Sequence, residues 1–216
     1  VMFFSRVTLQ PAALSSVMAD KWQTSPVYAS HQWLWQLFPQ EAQRGFLFRQ
    51  DDHATLSRYY LLSACAPRQD HNLFVVETKP WQPQLSVGMQ LAFSLRANPV
   101  VTRQRQRCDV LMDAKYHAKA QGADKAEIWP RQQQAAADWL ARQGERGGFE
   151  VNACRVDGYQ RHRLYKPQQT APVSFSSVDF DGLLRITDAG RFAQAVSQGL
   201  GKSRSLGCGL LLLRRA

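Results

Sequence analysis

Twice along the chain the apolar pattern runs strand, helix, strand, strand, and that repetition confines the fold more tightly than any other feature of the sequence. Met2 to Leu9 reads as a strand, about Val27 to Phe38 as a helix, and Phe46-Arg49, Tyr59-Cys65 and Leu73-Glu77 as further strands. The polar, proline-bearing stretch Thr78 to Gln84 then reads as a linker. Beyond it Met89, Leu91, Phe93 and Leu95 alternate along one strand face, and about Arg131 to Arg142 forms a helix ended by the Gly144 to Gly148 region. Strand signals follow at Phe149-Arg155, Tyr159-Tyr165, Val173-Phe175, Val178-Phe180 and Leu183-Ile186, and Asp188 can cap a last helix to about Gln198. Each half thus offers β, α, β, β with a closing element, the order of a ferredoxin-like sandwich. The expected architecture is α+β, two tandem ferredoxin-like domains spanning 1–84 and 85–216. Asp109 to Lys125 is polar without a clear period and reads as a mobile loop.

Near the end, Gly199-Leu-Gly-Lys-Ser-Arg-Ser-Leu-Gly-Cys-Gly209 sets glycines around Lys202 and Arg204 and then runs into Leu210 to Leu213. Glycines let backbone approach a phosphate, and the two cations supply charge. The stretch is not a Walker loop, because no Gly stands five residues before Gly201 and the order is helix, loop, strand. A helix cap followed by a tight turn into a buried strand fits the same residues.

With 27 Lys+Arg against 17 Asp+Glu, a net charge of +10, the chain is suited to a polyanion. No run of about 18 apolar residues could span a bilayer, and the N-terminal stretch lacks a signal-peptide pattern, so a cytoplasmic protein without membrane contact is expected. Val1, ahead of Met2, reads as an added or altered initiator. The four cysteines, Cys65, Cys108, Cys154 and Cys208, form no C-x-x-C pair and suggest neither a disulfide framework nor a zinc site.

Two basic segments read as cationic strands. In Arg103-Gln-Arg-Gln-Arg107 the arginines alternate, which on a strand would set them about 6.6 Å apart on one face. Tyr159-Gln-Arg-His-Arg-Leu-Tyr165 repeats the arrangement, with Arg155 and Lys166 flanking. Its arginines would clamp phosphates or base edges, and its tyrosines would stack on RNA or pack beside it. Two solvated hairpin faces are the bland alternative.

Chemistry is expected from Ser25-Pro-Val-Tyr-Ala-Ser-His31. Ser25 can cap a helix and Pro26 can take its first position, which puts Tyr28 and His31 three residues apart on one face near a helix N-terminus. Histidine suits proton transfer near neutral pH, and a tyrosine hydroxyl can orient or share it. Val27, Leu34 and Phe38 mark the buried stripe, so spacing alone equally allows His31 to be a half-buried core histidine.

The opening Met2-Phe-Phe-Ser-Arg-Val, the Tyr28-x-x-His31 helix with Leu34 and Phe38-Pro39, the Phe93-Ser-Leu-Arg-Ala-Asn-Pro99 strand and the terminal glycine-rich stretch together resemble the CasE family. These are the CRISPR repeat-processing endoribonucleases of the type I-E Cascade complex, and the match runs in order from residue 2 to about 213. The resemblance implies RRM-related ferredoxin-like domains with a basic cleft. They would bind a CRISPR repeat RNA hairpin and cut at the 3′ base of its stem without metal or cofactor. The ribose 2′-OH would attack the adjacent phosphate, the product would stay bound, and other subunits of a Cascade-type complex would be partners. By position, His31 is the general acid or base and Tyr28 its companion in orientation or proton transfer. A family relative has a lysine five residues past the histidine where this chain has Gln36, leaving Lys202 or a nearby arginine to stabilise charge. The candidate RNA contacts are Arg96, Arg103, Arg105, Arg107, Arg155, Arg161, Arg163, Lys166, Lys202 and Arg204. The alternative from a different class is a non-catalytic RNA-binding subunit of a ribonucleoprotein complex.

Overall fold

The computed structural model describes residues 1–24, 26–103, 105–164 and 172–216. Two four-stranded antiparallel sheets carry the chain. The first is built from β1 (Met2–Leu9), β2 (Phe46–Asp51), β3 (Arg58–Ser63) and β4 (Phe74–Trp81), in the order β2-β3-β1-β4. Helices α1 (Ser16–Thr24) and α2 (Pro26–Trp35) connect β1 to β2. Alternation along β1 sends Ser5, Val7 and Leu9 inward, where they meet Leu34 and Leu37 together with Phe46, Phe48, Tyr59, Leu61 and Phe74.

The second sheet contains β5 (Gln90–Ala97), β8 (Phe149–Leu164), β9 (Val173–Ile186) and β10 (Leu211–Arg215), in the order β10-β5-β9-β8. Between β5 and β8 stand a small hairpin, β6 (Val100–Arg103) with β7 (Gln106–Asp109), and helices α3 (Val110–Ala120) and α4 (Lys125–Gly147). Helix α5 (Ala189–Gln198) precedes the glycine-rich stretch and β10. Counting strands from the start of each half and leaving the hairpin aside, both sheets show the same permutation, fourth-first-third-second. The α+β class and the paired antiparallel sheets are as the sequence patterns predict. The two sheets also share packing, because Leu47 and Leu62 of the first belong to the core formed by Leu95, Trp139, Phe180 and Phe192 of the second.

Several local expectations are corrected. Thr78 to Trp81 is strand, not linker: Ser5 pairs with Thr78 and Met2 with Trp81. Pro80 is tolerated because β4 lies at the sheet edge. The first half has no helix between β3 and β4, so only the second half completes the β-α-β-β-α-β order. Asp109 to Lys125 is not a loop, since the Asp109 carboxylate accepts from the amides of Leu111 and Met112 and starts α3, while Asp124 caps α4. Helix α4 also runs beyond Arg142 to Gly147, ending where Gly148 takes φ 73°. Arg103 to Arg107 is not one strand but a hairpin, with Arg105 at φ 64° in its turn. The two strand signals on either side of Asp157 belong to the single strand β8, which bulges there.

Candidate functional site

Helix α2 is fixed from below by the residue between Tyr28 and His31. Ser30 is buried, and its hydroxyl donates to the Pro26 carbonyl at 2.6 Å. A serine has one proton to give, so in the 2.9 Å hydrogen bond between Ser30 and Tyr59 the tyrosine is the donor. Burial drives the Tyr59 phenol well above its ordinary pKa and keeps it a neutral donor. With Ser30, Leu34 and Leu37 facing the sheet, Tyr28 and His31 are left half-buried at the helix flank. Gln32 Nε2 donates to the Tyr28 hydroxyl at 3.1 Å, and the Trp35 ring stands edge-on to His31 at 5.8 Å between centroids. The proposed N-cap, Ser25, lies outside the described residues.

Tyr28, His31, Gln32 and Trp35 line one side of a cleft whose other side is Leu164, Val173, Ser203, Ser205 and Leu206. The Tyr/His helix and the glycine-rich stretch, remote in sequence, therefore form one site. Two features seat that stretch. A Cβ on Gly201, at φ 79°, would come within 3.1 Å of the Trp139 ring, so only glycine fits the path. Asn98, from the Leu-Arg-Ala-Asn-Pro signature, bridges to Lys202 and donates from Nδ2 to Ser203 Oγ at 2.8 Å.

A second cleft adjoins the first, sharing Val173, Ser203 and Leu206 with it. Arg107, Arg161 and Lys202 converge on this second cleft from a hairpin, a long strand and the glycine-rich stretch. Its one carboxylate, Asp109, is occupied: one oxygen caps α3, and the other accepts from Tyr159 at 2.8 Å and from Ser176. Burial, then the bonded Asp109 charge, pushes the Tyr159 phenol up to about 12. Tyr159 thus ties the basic strand to α3 and is not a free stacking platform. Among the described residues Arg107, Arg161 and Lys202 have no ion-pair partner, which makes the joined clefts a cationic channel leading to His31.

The other candidate cations are placed differently. Arg96 is held by carboxylates: its Nε and Nη2 donate to Asp179, both at 2.8 Å, and it also pairs with Asp52. These two acids hold its pKa above the usual arginine value and occupy its Nε and Nη2, so this candidate RNA contact is already ion-paired within the protein. Arg103 pairs with Asp113 at 2.9 Å, and exposed Arg105 occupies the hairpin turn, so the expected three-arginine ladder is not formed. Arg163 is exposed on β8 opposite Ser174. Arg155 stands 3.8 Å from Asp181 in a separate cleft with Tyr60 and Asp157. Arg204 donates from Nη1 to the Gln198 carbonyl at 2.6 Å. Lys166 and Tyr165 lie outside the described residues. Gln36 turns to His71, whose Nε2 is 3.2 Å from its Oε1. Trp35, Ser203 and Ser205 are cleft residues not singled out from sequence, although both serines lie in the glycine-rich stretch. Among the described residues no three His, Cys, Asp or Glu side chains are grouped to hold a metal, and no helix is long and apolar enough to cross a membrane.

Comparison with known proteins identifies the family of the chain. Residues 2–215 match the profile of a family described as CRISPR associated protein. The chain is 33% identical over 214 residues to the CRISPR system Cascade subunit CasE of Escherichia coli K12, covering 93% of this chain and 98% of that one. The crystal structure of Cas6e from E. coli K-12 superimposes with a TM-score of 0.67 at 26% identity, covering 99% of this chain and all of the other. The structure of Thermus thermophilus Cse3, bound to an RNA representing a pre-cleavage complex, gives 0.71 at 23% identity over 99% and 98% of the two chains, a likeness of fold. From residue 2 to residue 215, the chain belongs to the CasE/Cse3 family of CRISPR-associated proteins.

Proposed function

We propose that the chain is a CRISPR RNA-processing endoribonuclease that works as a subunit of a Cascade-type complex in the cytoplasm. It binds the repeat hairpin, cleaves at the 3′ base of the stem without a metal, and keeps the mature guide RNA bound. The two halves, 1–84 and 85–216, act as two domains around the site. The observation that carries this reading is the junction of the Tyr28/His31 cleft with the cleft lined by Arg107, Arg161 and Lys202. The E. coli relative is named a Cascade subunit, and the Thermus relative was solved with RNA, which supports the same class of partner.

In the proposed reaction the ribose 2′ oxygen loses its proton and forms a bond to the adjacent phosphorus. The bond from phosphorus to the 5′ oxygen breaks, and that oxygen takes up a proton. The products are a 2′,3′-cyclic phosphate and a 5′-hydroxyl, with no water consumed. His31 is the proton-transfer group, Tyr28 orients or shares that transfer, and Lys202 offsets charge on the phosphate. Arg107, Arg161 and exposed Arg163 hold the backbone of the stem.

Incubating the purified protein with its cognate repeat RNA in EDTA tests the reading. His31→Ala should lose about 10²- to 10⁴-fold in rate while keeping RNA affinity, and a 2′-deoxy nucleotide at the cut should bind normally yet resist cleavage. Cleavage of the deoxy substrate at the normal rate would refute the mechanism. RNA binding with no cleavage of the cognate repeat would mark a non-catalytic RNA-binding subunit.

A further inference from the structure

The Tyr28/His31 cleft and the cationic cleft have three residues in common, Val173, Ser203 and Leu206. Two of these are apolar, so Ser203 alone of the three brings a hydrogen-bonding side chain to the junction. A phosphate seated there has the Tyr28/His31 pair on one side and Arg107, Arg161 and Lys202 on the other, which is where the scissile phosphate of the proposed reaction has to be.

The Ser203 hydroxyl is aimed by a buried amide. Asn98 is only 6% exposed, and its Nδ2 donates to Ser203 Oγ at 2.8 Å while its backbone bridges to Lys202. A hydroxyl that accepts from an amide keeps its own proton for another partner, and among the described residues no acceptor takes that proton. The backbone is fixed from the other side as well, since the Leu206 amide donates to the Ser203 carbonyl at 2.9 Å. Ser203 stands at φ 54°, in the left-handed region, and among the described non-glycine residues only it and Arg105 take a positive φ. Such a conformation is strained for any residue with a Cβ. Glycine fills the neighbouring positive-φ positions Gly199, Gly201, Gly207 and Gly209, so a glycine here would relieve the strain and forfeit the hydroxyl.

We propose that Ser203 is a further catalytic residue, whose hydroxyl donates a hydrogen bond to a non-bridging oxygen of the scissile phosphate, with Asn98 as its positioning residue. Negative charge builds on those oxygens as the ribose 2′ oxygen attacks, and a donor already oriented by Asn98 stabilises it without reorganising. Ser203 forms no covalent bond and moves no proton; it supplements the charge of neighbouring Lys202. The inference rests on the endoribonuclease reading and names a group that reading does not use.

The test is single-turnover cleavage of the cognate repeat RNA by the full chain, with affinity read separately on the 2′-deoxy repeat. Ser203→Ala should cleave about 10- to 10²-fold more slowly, the worth of one hydrogen bond to developing charge, while binding RNA within about twofold of the parent. Ser203→Gly should show the same loss of rate with a melting temperature at or above that of Ser203→Ala, because glycine accepts φ 54°. Sulfur in place of one non-bridging oxygen of the scissile phosphate is a poorer acceptor, so one of the two diastereomers should be cleaved more slowly by the parent, and Ser203→Ala should shrink that difference. In Asn98→Asp the carboxylate would take the serine proton, so this variant should be as slow as Ser203→Ala, and the double variant no slower. Should Asn98→Asp fail to fold, the two serine variants and the sulfur substitution decide alone. Cleavage by Ser203→Ala within about twofold of the parent overturns the assignment, as does a sulfur effect of equal size in parent and variant. Cleavage by Asn98→Asp at the parent rate overturns the part given to Asn98. A parent that does not cleave refutes the endoribonuclease reading and this role with it, whereas cleavage by the parent that Ser203→Ala matches refutes the hydroxyl alone.

Discussion

Asp179→Asn should be among the most damaging isosteric changes in this chain, because one carboxylate there balances two enclosed guanidinium groups. Arg96 makes a two-pronged contact to it, and Arg49 approaches it at 4.0 Å while donating to Ser94 Oγ at 2.8 Å. The side chains are only 13%, 17% and 21% exposed for Arg49, Arg96 and Asp179. Arg49 comes from β2 of the first sheet and Asp52 from the turn after it, while Ser94, Arg96 and Asp179 come from the second sheet, so the cluster joins the two. Removing one partner of a buried ion pair costs about 3–5 kcal/mol, and Asp52 keeps part of the Arg96 charge balanced, which brings the expected loss to about 2–3 kcal/mol. At about 2–4 °C per kcal/mol for a chain of this size, the melting temperature should fall by about 4–12 °C. Asp52 is itself 51% exposed, and Asp52→Asn should cost only about 0.5–1 kcal/mol. Thermal and urea unfolding at neutral pH measure both. The reasoning fails if Asp179→Asn lies within 0.5 kcal/mol of the parent, or if Asp52→Asn costs as much.

Two further outcomes are expected. His162 bonds Ser177 at 2.8 Å and stacks on Phe175 at 4.5 Å, and burial, then Arg96, lowers its pKa. Below about pH 6.5 the unfolded chain therefore takes up a proton that the folded chain resists, and stability is lost as pH falls through the folded value. His162→Gln should lose less stability than the parent between pH 7 and 5.5, with His71, shifted the same way by burial, retaining part of the slope; an identical pH slope would refute the assignment. In RNA binding, Arg161→Gln and Lys202→Gln should each lower the salt slope by about one unit, whereas Arg103→Gln, whose charge already meets Asp113, should change it less. Equal slopes for all three would contradict the cationic channel.

The fold was legible where the apolar period was clean and obscured where one local residue broke it. Strand β1 and helix α5 are as their patterns predict, since alternation and an Asp188 cap are local signals. In sequence Pro80 reads as a breaker and ends strand β4 before Thr78, and only the sheet order shows that the strand lies on an edge where proline is tolerated. Helix α3 buries only Val110, Leu111 and Ala118, too sparse a stripe to read as a period, and its one local signal is the Asp109 cap. The Arg103 to Arg107 turn carries no glycine or asparagine, so its reversal at Arg105 left no ordinary turn signal.

The site divides along a different line. The spacing of Tyr28 and His31 is a property of one helix and could be read directly, as could the glycine-rich stretch. Which arginines are available to a polyanion could not, because availability depends on whether the fold brings a carboxylate alongside. Arg96 and Arg103 look as accessible in sequence as Arg107 and Arg161, yet Asp52, Asp179 and Asp113 occupy the first two and leave the second two unpaired among the described residues. A net charge of +10 announces a polyanion partner, but the contact surface is drawn by the carboxylates, through the cations they leave unneutralised.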